Sequence, residues 1–166
     1  NSAYDANDVY YDQHVRDSAT STAGQQPLII TVAAGNSGPG AGTIGSPGSG
    51  KNVITVGASE SYHPDATTYG FLGANADCND INTIISFSSR GLDADTKIKP
   101  DVVAPGTGIV STRSSYMATA PNLYGFYGPD HRYEWCSGTS QANPHIAGAG
   151  DAGDGADSGT VRCRGL

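Results

Sequence analysis

Eight residues, Pro27-Leu28-Ile29-Ile30-Thr31-Val32-Ala33-Ala34, run almost without a polar interruption and stop at Gly35. A strand with one wet face alternates apolar and polar residues. An unbroken run suits a strand covered on both faces, as in a parallel sheet. The segment before it has helical period: Tyr11, Val15 and Ala19 share one face of a helix expected over residues 7 to about 23, with Gly24 as its stop. Helix followed by buried strand is half of a βαβ unit, so an α/β fold is expected. Further strands are expected at 53–56, 81–87, 102–104 and 108–111, the last two broken by Pro105-Gly106. Residues 38–50 read as loop from their Gly and Pro content. Residues 60–80 read as an irregular surface excursion, 93–99 as exposed, and 114–134 as a long loop or hairpin.

At 166 residues one domain is expected, large enough to bury roughly 70% of the surface its unfolded chain exposes. The net charge of −7 argues against nucleic acid or an anionic membrane surface as partner. No apolar run approaches the ~20 residues that span a bilayer. No signal peptide opens the chain, as expected of a mature secreted protein or of an internal fragment. Cys78, Cys136 and Cys163 are odd in number, so at least one is unpaired within the chain. They show no zinc-ligand spacing. Cys136 reads as an idle thiol.

The chemistry centres on Gly138-Thr139-Ser140-Gln141-Ala142-Asn143-Pro144-His145-Ile146-Ala147-Gly148. It reads as a loop turning into a helix, with Thr139 and Ser140 at the entrance and Pro144 expected within the first turn. A serine there has an N–H without an intrahelical partner, and the helix dipole favours an oxyanion beside it. Taken alone, the motif reads first as a helix cap.

Two more stretches accompany it: Thr31-Val32-Ala33-Ala34-Gly35-Asn36-Ser37-Gly38 and Lys99-Pro100-Asp101-Val102-Val103-Ala104-Pro105-Gly106. With Asn52-Val53-Ile54-Thr55-Val56-Gly57-Ala58 and Phe87-Ser88-Ser89-Arg90-Gly91, their order and spacing resemble the subtilisin-like serine proteases, or subtilases, from about Asn1 to Gly148. The segment before the serine most resembles the KP-43-type alkaline protease branch. The resemblance implies a secreted enzyme. It implies a partial three-layer subtilisin-like fold with a mostly parallel sheet, lacking the N-terminal part of the domain. Residues 1–150 would be the C-terminal part of the catalytic domain, and 151–166 a polar Gly/Asp-rich tail. The helix is expected to fray or stop shortly after Gly148, because glycines interrupt it and no apolar stripe follows.

The resemblance assigns the nucleophile to Ser140 and the second oxyanion donor to the Asn36 carboxamide, with substrate contacts at Ser2, Ala33, Ala34, Gly35 and Thr139. Without Ser140, Asn36 would read as a left-handed turn residue. Asn143 and Gln141 replace residues usual in the family. The resemblance gives His145 a packing role. Calcium is implied for stability, with the carbonyls of Gly48, Gly50 and Val53 and the Asp101 carboxylate as candidate ligands. A solvated or capping Asp101 is the alternative. No cofactor is required for the chemistry.

Subtilases order their triad Asp, His, Ser. His14, His63, His131 and His145 lack the His-Gly-Thr context of the base, and Asp157-Ser158-Gly159 lacks the apolar strand that should precede it. The expected function is a serine endopeptidase present as a fragment without its Asp and His, inactive or nearly so alone. It would need the N-terminal part of the domain and, without it, would be prone to aggregation. A non-catalytic subtilase-like domain binding a peptide or partner is the alternative. A lipase-type Gly-x-Ser-x-Gly is absent.

Overall fold

The computed structural model describes residues 4–92, 97–116 and 124–154. Its elements follow in the order α1 (Ala6–Arg16), β1 (Thr31–Ala33), β2 (Ile54–Ser59), β3 (Gly91–Leu92), β4 (Ile98–Lys99), β5 (Val102–Pro105), β6 (Ile109–Thr112), β7 (Phe126–Tyr127), β8 (Tyr133–Cys136) and α2 (Thr139–Asp154). Strands β1, β2 and β5 form a parallel sheet, with Thr31 opposite Ile54 and Val56 opposite Val102. Two antiparallel sheets join it, β3–β4 and β6–β8–β7. This is an α/β architecture consistent with part of a subtilisin-like fold.

Helix α2 packs on the parallel sheet. Val56, Ala58, Ile85, Ala104 and Ala142 make one buried cluster, with Ile54, Phe87 and Ile146 against it. The small side chains at 58, 104 and 142 let the helix lie close to the strands. A second cluster, Ala66, Phe71, Cys78 and Trp135, joins the excursion after β2 to the β6–β8–β7 sheet. Burial pushes the Cys78 thiol up, against the Thr107 and Ser61 hydroxyls that act to lower it.

The apolar run is strand only at Thr31–Ala33. Leu28 and Ile29 are 49% and 56% exposed, because β1 pairs on one side alone and nothing described covers the start of the run. Residues 81–87 carry no strand, only a bridge between Ser59 and Ile84. Asp80 explains this: its carboxylate accepts the Asn82 N–H at 3.0 Å and the Thr83 hydroxyl at 2.9 Å, and these local bonds hold a turn.

Helix α1 ends at Arg16, well before residue 23, and Asp17 is extended. Its start is a capping box: Asp5 accepts the Asn7 and Asp8 N–H groups while Asp8 accepts the Asp5 N–H. The expected apolar stripe is only half-buried. The fully buried residues are Asp8 and Asp12. Asp8 accepts the Ser49 hydroxyl at 3.0 Å, and Asp12 accepts the Lys51 and Asn52 N–H groups at 3.0 and 2.7 Å. Two carboxylates thus fasten the helix to the loop before β2 by satisfying that loop's donors.

Burial acts to raise the Asp12 carboxyl. The Asn52 amide, the Tyr4 hydroxyl and the Lys51 amide and charge outweigh it and hold the group below its usual value. A carboxyl lowered in the folded state stabilises the fold above its unfolded value of about 3.9, and this contribution is lost as pH falls through the lowered one. Urea midpoints of the wild type and Asp12→Asn are therefore expected to differ most at neutral pH and to converge toward pH 3.

Helix α2 continues to Asp154, past the expected end near Gly148. A Cβ at Gly148 or Gly150 would meet nothing within 4 Å, so no packing forces a break there. Once a helix is nucleated, an interior glycine of about 1 kcal/mol weakens it without ending it. Pro144 is the sixth residue of α2, beyond the first turn. Asn1, Ser2, Asp157-Ser158-Gly159 and Cys163 lie outside the described residues, as does most of 151–166.

Candidate active site

Ser140 is the second residue of α2 and is exposed. The helix is entered through Gly138, whose N–H donates to the Gly106 carbonyl at 2.7 Å. Gly106 in turn donates to Ser59 at the end of β2, 2.9 Å away. The entrance is thereby tied to the C-terminal end of the parallel sheet, where open α/β sheets place their sites. A Cβ on Gly106 would stand 2.6 Å from the Ala58 Cβ and 2.8 Å from the Gly138 carbonyl oxygen, so no side chain fits at this crossing.

Asn36 reaches the same entrance from the loop after β1. Its Oδ1 accepts the Thr139 N–H and the Thr139 hydroxyl, both at 3.0 Å. The Thr139 Oγ1 accepts the Gly35 N–H at 3.1 Å. Gly138 has no side chain with which to cap α2, and Asn36 supplies the missing acceptor from across the sheet. The point a Gly138 Cβ would occupy lies 2.8 Å from Gln141 Oε1, 3.4 Å from Asn36 Nδ2 and 3.7 Å from the Ser140 nitrogen. Two nitrogen donors therefore stand beside one point at the helix entrance, with the Gln141 carboxamide oxygen as the nearest atom to it.

Asn36 is not in the left-handed region. Gly35 is, at φ +100°, and a Cβ there would approach Ser89 Oγ to 3.0 Å. Ser89 braces the turn, donating its N–H to the Gly35 carbonyl and accepting the Ser37 N–H at 3.0 Å. Ser88 accepts the Ala58 N–H at 3.0 Å. The sequence alone gives Ser88 and Ser89 no task; their signal is two adjacent hydroxyls separated from Gly91 by Arg90.

Among the other expected site residues, Ala34 is buried while Ala33 and Gly35 are half-buried beside Thr139. Ser2 lies outside the described residues. His145 is exposed, so the packing implied for it is not seen among the described residues. It stands five residues after Ser140, about 140° round the helix, and faces away from the serine. The other histidines sit elsewhere: His14 at the Tyr10 carbonyl, His63 against Trp135 and His131 on Phe126. Cys136 is half-buried, and neither it nor Cys78 forms a disulfide among the described residues.

The candidate calcium ligands do not fit a divalent ion. The Lys99 ammonium, with a side chain 4% exposed, lies 2.6 Å from Asp101 Oδ2 and 3.1 Å from the Val53 carbonyl. Asp101 also accepts the Thr55 N–H, and the Gly48 carbonyl accepts the Thr55 hydroxyl at 2.6 Å. A protein cation already matches the charge, and Asp101 Oδ2 and the Val53 and Gly48 carbonyls meet protein donors, whereas calcium requires six to eight oxygens. Among the described residues no group of three or more His, Cys, Asp or Glu converges elsewhere.

A serine at a helix entrance with two N–H donors beside it has the form of an acyl-transfer site. The subtilase family profile matches residues 3–150, so the chain belongs to the subtilase family of serine proteases. It is 42% identical over 123 residues to the serine protease AprX of Bacillus subtilis, covering 73% of this chain and 24% of the relative. Pyrolysin of Pyrococcus furiosus is 38% identical over 133 residues, 73% of this chain and 8% of its own length. The minor extracellular protease Vpr of Bacillus subtilis is 48% identical over 69 residues, 40% of this chain and 7% of the relative. The chain thus spans about a quarter or less of the length of these relatives.

Proposed function

We propose that this chain is the C-terminal part of a subtilase catalytic domain, and that the complete domain is a serine endopeptidase working through an acyl-enzyme on Ser140. The reading rests on one observation: Asn36 Nδ2 and the Ser140 nitrogen lie 3.4 and 3.7 Å from one point beside Gly138, which Gln141 Oε1 borders at 2.8 Å. In this reading Ser140 Oγ bonds to the scissile carbonyl carbon and gives its proton to a histidine base. The carbonyl oxygen, now negative, takes both N–H donors. Collapse breaks the C–N bond, the base protonates the leaving amine, and water then hydrolyses the ester. No cofactor enters these steps.

None of the four histidines serves as that base in this reading, so the Asp and His come from the part of the domain that precedes residue 1. The exposed Leu28, Ile29 and His145 belong to surfaces that part would cover. We place the enzyme in the KP-43-type branch on the pattern of the segment before Ser140. Secretion of this enzyme is supported by its likeness to Vpr, an extracellular protease. A non-catalytic peptide-binding domain is the other reading, favoured if the preceding coding sequence lacks the Asp and His motifs.

The isolated chain is expected to leave a peptide anilide uncleaved, and fusion to the Asp- and His-bearing segment of a subtilase to confer turnover that Ser140→Ala abolishes. Robust turnover by the isolated chain, blocked by a serine-directed phosphonate, would overturn the fragment reading.

A further inference from the structure

A cavity of about 480 Å³ opens between the excursion after β2 and the strands β6 and β8, away from the serine motif. That volume lies in the range of small-ligand sites. Its inner wall is Trp135, 2% exposed, whose indole N–H donates to the Tyr69 carbonyl at 3.0 Å and so fixes the ring. Tyr127 meets the indole edge-on, with centroids 5.4 Å apart, and His63 does so at 5.8 Å. Tyr69 and Tyr127 remain 53% and 38% exposed. Ile109 and Val110 supply an aliphatic wall. Asp65 also lines the cavity, is exposed, and has no hydrogen-bonding or ionic side-chain partner among the described residues.

We propose that this cavity binds the side chain of a lysine or arginine in a basic peptide segment. Such side chains have an apolar stem and a charged head. The stem fits along Ile109 and Val110, the head lies at the aromatic faces, and Asp65 supplies the counter-charge. Cations are held by aromatic faces within about 6 Å, and Arg stacks on them as well. The chain already pairs cations with rings in this way: the Arg113 guanidinium lies 4.9 Å from the Phe126 centroid and the Lys51 ammonium 4.5 Å from that of Tyr4. The acidic net charge of −7 favours a basic occupant. Trp135 precedes Ser140 by five residues, a span of at most about 18 Å, so a peptide at the serine reaches the cavity with few residues. That link rests on the protease reading; the binding site does not.

Trp135 is the only tryptophan of the chain, which makes it a direct reporter. The full chain is titrated with N-acetyl-lysine methylamide, N-acetyl-arginine methylamide and the neutral N-acetyl-norleucine methylamide while its fluorescence is followed. Saturable changes are expected with the two cations, at concentrations about five- to tenfold lower than with norleucine. Asp65→Asn is expected to weaken the cations several-fold, leaving the part of their preference that the rings supply, and to leave norleucine unchanged. Tyr127→Ala is expected to weaken all three, with circular dichroism reporting that the fold is kept. Equal responses to cationic and neutral probes, no saturable response, or an Asp65→Asn variant that binds the cations as before would overturn the proposal. None of these readouts requires turnover.

Discussion

Asn36→Asp, in a domain completed with its Asp and His motifs, is expected to lower kcat by about 10²–10³ with little change in KM. That magnitude is the one known for loss of the oxyanion asparagine in subtilisin itself and is carried over from it. Aspartate is the sharper substitution because Asn36 has two tasks. Its Oδ1 caps α2 through the Thr139 N–H, and its Nδ2 faces the space beside Gly138. Aspartate keeps the acceptor, and a carboxylate at a helix N-terminus is favourable by up to about 1 kcal/mol. It removes the donor and sets a negative charge where the reaction develops one. Thermal stability should therefore hold or rise while turnover collapses. Asn36→Ala loses both tasks, so turnover falls and stability drops by about 1 kcal/mol. If Asn36→Asp turned over substrate at the wild-type rate, Asn36 would be a cap and nothing more.

Asp101→Asn is expected to destabilise the chain by about 2–3 kcal/mol. Removing one partner of a buried ion pair costs about 3–5 kcal/mol because the other charge is left stranded. The Lys99 side chain is 4% exposed but that of Asp101 is 39%, so water shares part of the load and the lower figure applies. The asparagine still accepts the Thr55 N–H, which isolates the charge from the hydrogen bond. A fall in melting temperature of about 5–10 °C is the corresponding readout. The double variant Lys99→Met with Asp101→Asn should recover much of the loss, since an apolar replacement removes the stranded charge. A single variant as stable as the wild type would mean that the pair contributes no net stability.

The strands at β2, β5 and β6 were legible because their residues are apolar, short and punctuated by Gly or Pro. The helix entrance at Ser140 was legible because Gly-Thr-Ser pairs a turn residue with two residues suited to a helix N-terminus. Residues 81–87 misled because an apolar composition was read without weighing Asp80, whose side chain ties the backbone into a turn. Helix α1 misled in another way. Its buried residues are carboxylates answering donors on a loop some forty positions away, and no periodicity of apolar residues reports that. For the cation candidates, carbonyls and a carboxylate look the same in sequence whether a metal ion or a lysine sits among them. Lys99 stood two residues from Asp101, but its burial belongs to the fold.

At Gly106 the main chain itself is the spacer. With a strand end on one side and the serine's turn on the other, the interval is set by two peptide groups and by the absence of a methyl. Side chains around the turn can then diverge while the Ser140 hydroxyl keeps its place at the end of the sheet.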